Sequence, residues 1–170
     1  PELLLAGEWM SVQVFENSKG QFSDATNQYF EESATGLWNV LHAADFDGDG
    51  DQDIVGGNMG DNSQLSASKS EPLQLFYNDI DANGSLDPLL FYSLEGESWP
   101  FVSRNDLIGQ LPHLRKKFLF FKDYAVAQVQ DILSPEQLTS PAKSEVNNLA
   151  TSYFENVNGK FVSRPLPSIV

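Results

Sequence analysis

The chain has no cysteine and only two histidines among its 170 residues. The first absence excludes disulfides, thiolate nucleophiles and thiolate metal ligands. His42 also has no second His or Cys nearby, which argues against a zinc site there. Basic residues are scarce: ten Lys and Arg stand against 24 Asp and Glu, giving a formal net charge of −14. Nucleic acid or anionic lipid is therefore a poor partner for the chain as a whole, since neutralising phosphate takes Lys and Arg. An acidic chain suits cations instead. No apolar run approaches the roughly 18 residues of a membrane span. No Walker loop or Gly-x-Ser-x-Gly elbow appears. No export leader is visible either. The opening residues, PELLLAGEWM, enter a strand-like run without an initiator Met, which reads as an excised or processed segment.

What is present is a core former. Hydrophobic residues make up 41% and aromatics 12%, far too much for a disordered acidic tail. Leu3 to Thr26 reads as short strands joined by turns, with SVQVFEN alternating in period two and Ser18-Lys19-Gly20 as a tight turn. LWNVLHAA (Leu37 to Ala44) and DIVGG (Asp53 to Gly57) are further strands, as are PLQLFYN and PLLFYSL. From Ser103 to Leu133 the pattern turns helical, with Leu107, Leu111, Leu114 and Phe118 three or four apart and Pro112 forcing a kink or restart. Ser134, Pro135 and Gln137 form a helix start with a capping box. The final stretch, SYFENVNGKFVSRPLP, returns to strand, turn and strand.

That return carries an internal repeat: FENSKGQF (Phe15 to Phe22) and FENVNGKF (Phe154 to Phe161) share Phe-Glu-Asn, two spacers, Gly, one spacer and Phe. Self-similarity of this kind points to an array of like units.

The densest chemistry lies in DFDGDGDQD, where five aspartates occupy alternate positions from Asp45 to Asp53. Like charges this close repel unless an ion shares them. A hard cation such as calcium takes six to eight oxygens, and a loop supplies them from side chains at positions 1, 3 and 5, a Gly at 6 and a carbonyl at 7. Here those positions are Asp45, Asp47, Asp49, Gly50 and Asp51, with Asp53 at position 9 closing the shell. Asp51 is expected to give its carbonyl and turn its side chain outward. DIDANGSLD repeats the grammar with Asp79, Asp81, Asn83, Gly84, Ser85 and Asp87. An EF-hand would place Glu at position 12, but Gly56 and Leu90 stand there and strand-like sequence flanks both loops. With fewer carboxylates, the second loop should bind more weakly.

DFDGDGDQDIVGGN followed by SYFENVNGKF resembles the FG-GAP/VCBS repeat, the blade unit of integrin-α-type β-propellers. More narrowly, LLLAGEWM, TGLWNVLHAADFDGDGDQDIVGGNMGDNS, WPFVSRNDL and LRKKF resemble exported bacterial VCBS-repeat proteins that often carry an ASPIC/UnbV region. The resemblance implies a mainly β fold of propeller blades with an α-helical insertion, Ca2+ in the blade loops and an extracytoplasmic address. It implies a seven-bladed parent and a non-catalytic role in binding a protein or glycan. The ligands it carries over are Asp45, Asp47, Asp49, Asp51 and Asp53; the second loop departs from the pattern, lying between strands that need not open a blade. On this reading residues 1–34 end one blade, 35–62 with 147–170 form a second, and 63–146 are an insertion with helices over about 103–140. A fragment of this kind should expose strand edges.

Trp38, in a strand, belongs to the core, whereas Trp99 in GESWPF is the best exposed aromatic for stacking on a sugar. A polysaccharide-acting hydrolase or lyase, with Trp99 and surface carboxylates in a cleft, is the competing function. Its acid would need a raised pKa in an apolar pocket. Arg104, Arg115, Lys116, Lys117 and Lys122, half of all basic residues, cluster as a solvated helix face or a docking patch.

Overall fold

A computed structural model describes residues 2–164 and 166. Pro1 of the 1–34 segment, and residues 165 and 167–170 of the 147–170 segment, lie outside them. The chain is mainly β, built of several antiparallel sheets with short helices, as expected of a β-propeller fragment. It divides into two compact units: residues 1–64 with 146–170, and residues 65–145.

In the first unit, β1 (Leu3–Leu5), β3 (Gln13–Ser18) and β4 (Gln21–Asp24) form one sheet, while β2 (Glu8–Ser11) pairs with β5 (Thr35–Leu37). The short helix α1 (Thr26–Tyr29) follows β4. A second sheet runs in the order β6 (Val40–Ala44), β7 (Asp53–Gly57), β12 (Ser152–Val157), β13 (Lys160–Arg164). The LWNVLHAA run is thus two strands, parted at Trp38 and Asn39. Trp38 leaves the ladder to enter the core, 2% exposed, against Phe154, Ile54 and Phe30. Gly36 makes room for it: a Cβ there would lie 2.6 Å from the Trp38 ring.

The Phe-Glu-Asn repeat is a repeat in three dimensions. Phe15, Asn17 and Ser18 pair with Asp24, Phe22 and Gln21. Phe154, Asn156 and Val157 pair with Ser163, Phe161 and Lys160, the same register displaced along the chain. Lys19 and Gly20 take φ of 54° and 90°, Asn158 and Gly159 take 54° and 82°, the two left-handed residues of a type I′ hairpin. Each Asn closes its own turn: Gly20 N donates to Asn17 Oδ1 at 2.7 Å, and Gly159 N to Asn156 Oδ1 at 2.9 Å. The likeness extends one strand outward, since Leu3 pairs with Phe15 as Ile54 pairs with Phe154. In the second copy β6 adds a fourth strand beside β7.

The second unit has a sheet ordered β10 (Glu97–Pro100), β9 (Asp87–Leu94), β8 (Leu73–Asn78), β11 (Lys143–Val146). The helical passage is five short pieces: α2 (Arg104–Gln110), a 3-10 segment (Pro112–Lys116), α3 (Phe121–Tyr124), α4 (Val129–Ile132) and α5 (Pro135–Leu138). Pro112 restarts the chain as expected, and no long helix forms. The periodic residues Leu107, Leu111, Leu114 and Phe118 are all buried, packing with Phe76, Leu89 and Phe91 of the sheet. The Ser134 box is complete: Gln137 N donates to Ser134 Oγ at 3.3 Å, and Ser134 N to Gln137 Oε1 at 2.8 Å.

Candidate metal centre: two acidic loops

Both acidic loops join the two strands of an antiparallel hairpin. The first links β6 to β7, closing on the pair Ala44 and Asp53; the second links β8 to β9, closing on Asn78 and Asp87. Asp53 and Asp87 therefore each begin a strand. The turns share several positions. Position 4 is left-handed in both, Gly48 at φ 84° and Ala82 at 58°, and so is position 6, Gly50 at 99° and Gly84 at 88°. The first aspartate of each loop accepts from the position-6 amide, Gly50 N to Asp45 Oδ2 at 3.1 Å and Gly84 N to Asp79 Oδ2 at 2.8 Å. The last aspartate accepts from position 2, Phe46 N to Asp53 Oδ2 at 3.0 Å and Ile80 N to Asp87 Oδ2 at 2.9 Å. The second loop thus shares these features with the first, although its sheet is ordered differently and the second amide bonded to its first aspartate comes from position 5, Asn83, where the first loop uses position 4, Gly48.

The carboxylates converge as a metal would need. Asp45, Asp47 and Asp49 bring one oxygen each within 4.8 Å of one another, and so do Asp79, Asp81 and Asp87. Asn83 and Ser85 are exposed at the rim, Ser85 N donating to Asn83 Oδ1 at 2.8 Å. Asp51 corrects the expectation of an outward side chain. Its Oδ1 is buried and has no hydrogen-bond partner, as is Asp81 Oδ1 in the second loop. A buried carboxylate oxygen without a donor is costly and calls for a cation. The residues present fit a divalent ion of the oxygen-seeking kind, with no nitrogen or sulfur donor in either cluster.

The electrostatics agree. Asp51 is pushed above the usual carboxylate range by burial and by the charges of Asp49, Asp53, Asp47 and Asp45. Asp47 also ends raised: its bond from the Asp49 amide favours the charged form, but burial and the neighbouring aspartates outweigh it. Asp53 behaves oppositely. It is 0% exposed, and burial alone would raise it, yet it is held below the usual range by donors. Asn156 N at 2.8 Å, Phe46 N at 3.0 Å and the Tyr153 hydroxyl at 2.9 Å all bond its carboxylate. Tyr153 in turn is pushed up to about 12 by burial and by that bond. Asn156 Nδ2 also donates to Gln52 O at 3.2 Å. Asp53 is thus the anchor tying the loop to β12, and the first-loop cluster of three is formed without it.

Tyr153 and Asn156 were not singled out from sequence as residues of this site. The available signal was Asn156 in the Phe-Glu-Asn repeat; its reach to Asp53 needs a strand pair about 100 residues apart. Trp99, offered as an exposed aromatic, is half-buried in β10 beside Tyr92. A cavity of about 390 Å³ lies beside Asp53, lined also by Glu2, Tyr29, Gln52 and Asn156.

These features define the class, a repeat protein with acidic loops between paired strands. Residues 1–56, which contain the first loop, match the model of the FG-GAP-like repeat. No curated protein and no solved structure gives a significant match. Among the described residues, no helix is long and apolar enough to cross a membrane.

Proposed function

We propose that this chain is a non-catalytic, calcium-stabilised propeller segment that works outside the cytoplasm as a binding or scaffolding module for a protein or glycan partner. The observation that carries this reading is the buried, unpartnered carboxylate oxygen in each loop, Asp51 Oδ1 and Asp81 Oδ1, beside a cluster of three aspartates. Asp45, Asp47, Asp49 and Asp51 would hold the first ion, with Asp53 orienting the loop behind them; Asp79, Asp81, Asn83, Ser85 and Asp87 would hold the second. Calcium would cancel the mutual repulsion of the loop and fix the register of the strands it joins. The loops and strand ends so positioned would meet the partner. Ligand bound only by the native state adds stability as its concentration exceeds its dissociation constant. Calcium titration by calorimetry should give binding to the chain, and chelation should lower Tm by several degrees. An unchanged Tm and no heat of binding would overturn the reading.

The competing hydrolase or lyase reading has one observation in its favour, the cavity shared by Glu2 and Asp53. Its weakness is that Asp53, held ionised by three donors, is the opposite of a general acid. Turnover of a glycan that survives chelation and disappears in Glu2→Gln would favour it.

A further inference from the structure

The turn between the 3-10 segment and α3 is unlike the rest of this acidic chain. Leu119, Phe120, Phe121 and Val126 are 60%, 57%, 65% and 69% exposed, large apolar side chains turned to solvent almost in sequence. The turn is held in place from beneath. Phe118 and Ala127 on either side are buried in the core, and Tyr124 donates to Val102 O at 2.6 Å. Arg104 donates to Phe118 O at 2.7 Å and Leu119 O at 2.8 Å. Exposure here is therefore a property of a fixed turn.

Two cations lie against it. The Arg104 guanidinium lies 5.0 Å from the centre of the Phe121 ring, and Lys122 Nζ lies 5.6 Å from that of Phe120. Lys117 pairs with Asp131 at 3.3 Å, while Arg104, Arg115, Lys116 and Lys122 form no ion pair among the described residues. Half of the chain's ten basic residues thus fall within residues 104–122, and between 104 and 131 the five basic residues outnumber the three acidic ones, Asp106, Asp123 and Asp131. The Debye length at physiological salt is about 8 Å, so this local excess of basic over acidic residues, and not the total of −14, is what an approaching surface meets.

We infer that this turn docks on an anionic lipid surface, seating Leu119, Phe120, Phe121 and Val126 among the acyl chains while Arg115, Lys116 and Lys122 meet the phosphates. This goes beyond the calcium-scaffold reading and does not depend on it. The composition favours lipid over protein. Protein interfaces do enrich Phe and Arg, but they are depleted in Lys, and Leu and Val are under-represented among their hot spots. Phe and Leu rimmed by Lys and Arg are the pattern of interfacial membrane binding.

The test is sedimentation of the chain with phosphatidylglycerol-containing vesicles and with neutral phosphatidylcholine vesicles, in chelator so that calcium cannot bridge acidic loops to lipid. Binding to the anionic vesicles alone is expected. Phe120→Ser/Phe121→Ser and, separately, Lys116→Gln/Lys122→Gln should each weaken it about tenfold at unchanged Tm. Three results would overturn the inference: no binding to anionic vesicles, equal binding to neutral ones, or binding that neither pair of substitutions alters. Concentration-dependent self-association abolished by Phe120→Ser/Phe121→Ser, without vesicle binding, would assign the turn to a second copy instead.

Discussion

The loop at 45–53 and the loop at 79–87 share their turn, their left-handed positions 4 and 6 and their first and last hydrogen bonds. They differ in charge and in anchorage. The first has five aspartates; the second has Asn83 and Ser85 at positions 5 and 7. The closing Asp53 is bonded by a strand from the far end of the sequence, whereas Asp87 accepts from Ile80 N within its own hairpin. The lesson is that an acidic loop has two parts, a turn that gathers oxygens and an anchor that couples it to the fold; they are separate at Asp53, which stands outside the first cluster, and merged at Asp87, which belongs to the second. The FG-GAP-like loop couples residues 45–53 to residues 153–156; the second loop has the turn with a local anchor.

The sharpest way to break this comparison is at the anchors. Asp53→Ala would leave the Phe46 and Asn156 amides and the Tyr153 hydroxyl without their acceptor, at a cost of about 3 kcal/mol or more. Asp87→Ala orphans the Ile80 amide and should cost about half as much in denaturant unfolding with calcium absent. Equal losses would mean that the long-range anchor adds nothing.

A second test exchanges residues at position 4. Gly48→Ala, at φ 84° with open space around it, should cost about 1 kcal/mol from backbone strain alone. Ala82→Gly, at φ 58°, should gain a comparable amount. Thermal unfolding of both variants checks the shared geometry directly.

pH separates the gathering part from the anchor. Asp47 and Asp51 have raised folded-state pKa values, so their contribution is fully present below the unfolded carboxylate pKa and is lost as pH rises through the folded value. Asp53 is lowered, so its contribution is present above the unfolded pKa and is lost as pH falls through its folded value. Calcium-free protein should therefore gain stability on mild acidification before losing it in stronger acid. Saturating calcium should remove the gain, as read by unfolding midpoints across pH.

The smallest effect concerns the repeated hairpin. Asn17→Ala removes one turn bond and should cost about 1 kcal/mol. Asn156→Ala removes the equivalent bond and the bond to Gln52 O as well, and should cost more by a few tenths to one. Paired melting curves would show the difference.

Much of this was legible in one dimension because it is local. The two acidic turns, the hairpin turns at Lys19-Gly20 and Asn158-Gly159, the Pro112 restart and the Ser134 capping box each depend on residues within a few positions of one another. Alternating aspartates and left-handed glycines state their geometry without help from the rest of the chain. The broken helices were harder to see, because the periodicity of Leu107 to Phe118 records only that one side faces a core, while packing against Phe76 and Phe91 decides where the chain turns.

The sequence by itself determined the acidic turns, the alternating carboxylates that could hold a metal, and the repeated Phe-Glu-Asn hairpin. Only the tertiary structure decided that Asp53 is an anchor fed by Tyr153 and Asn156, that Asp51 is drawn inward, and that Phe120 and Phe121 face solvent while Phe118 does not. The physical reason is range: turn conformation and charge repulsion act within a few residues, but burial and the satisfaction of a buried carboxylate depend on strands that meet only after about 100 residues of intervening chain.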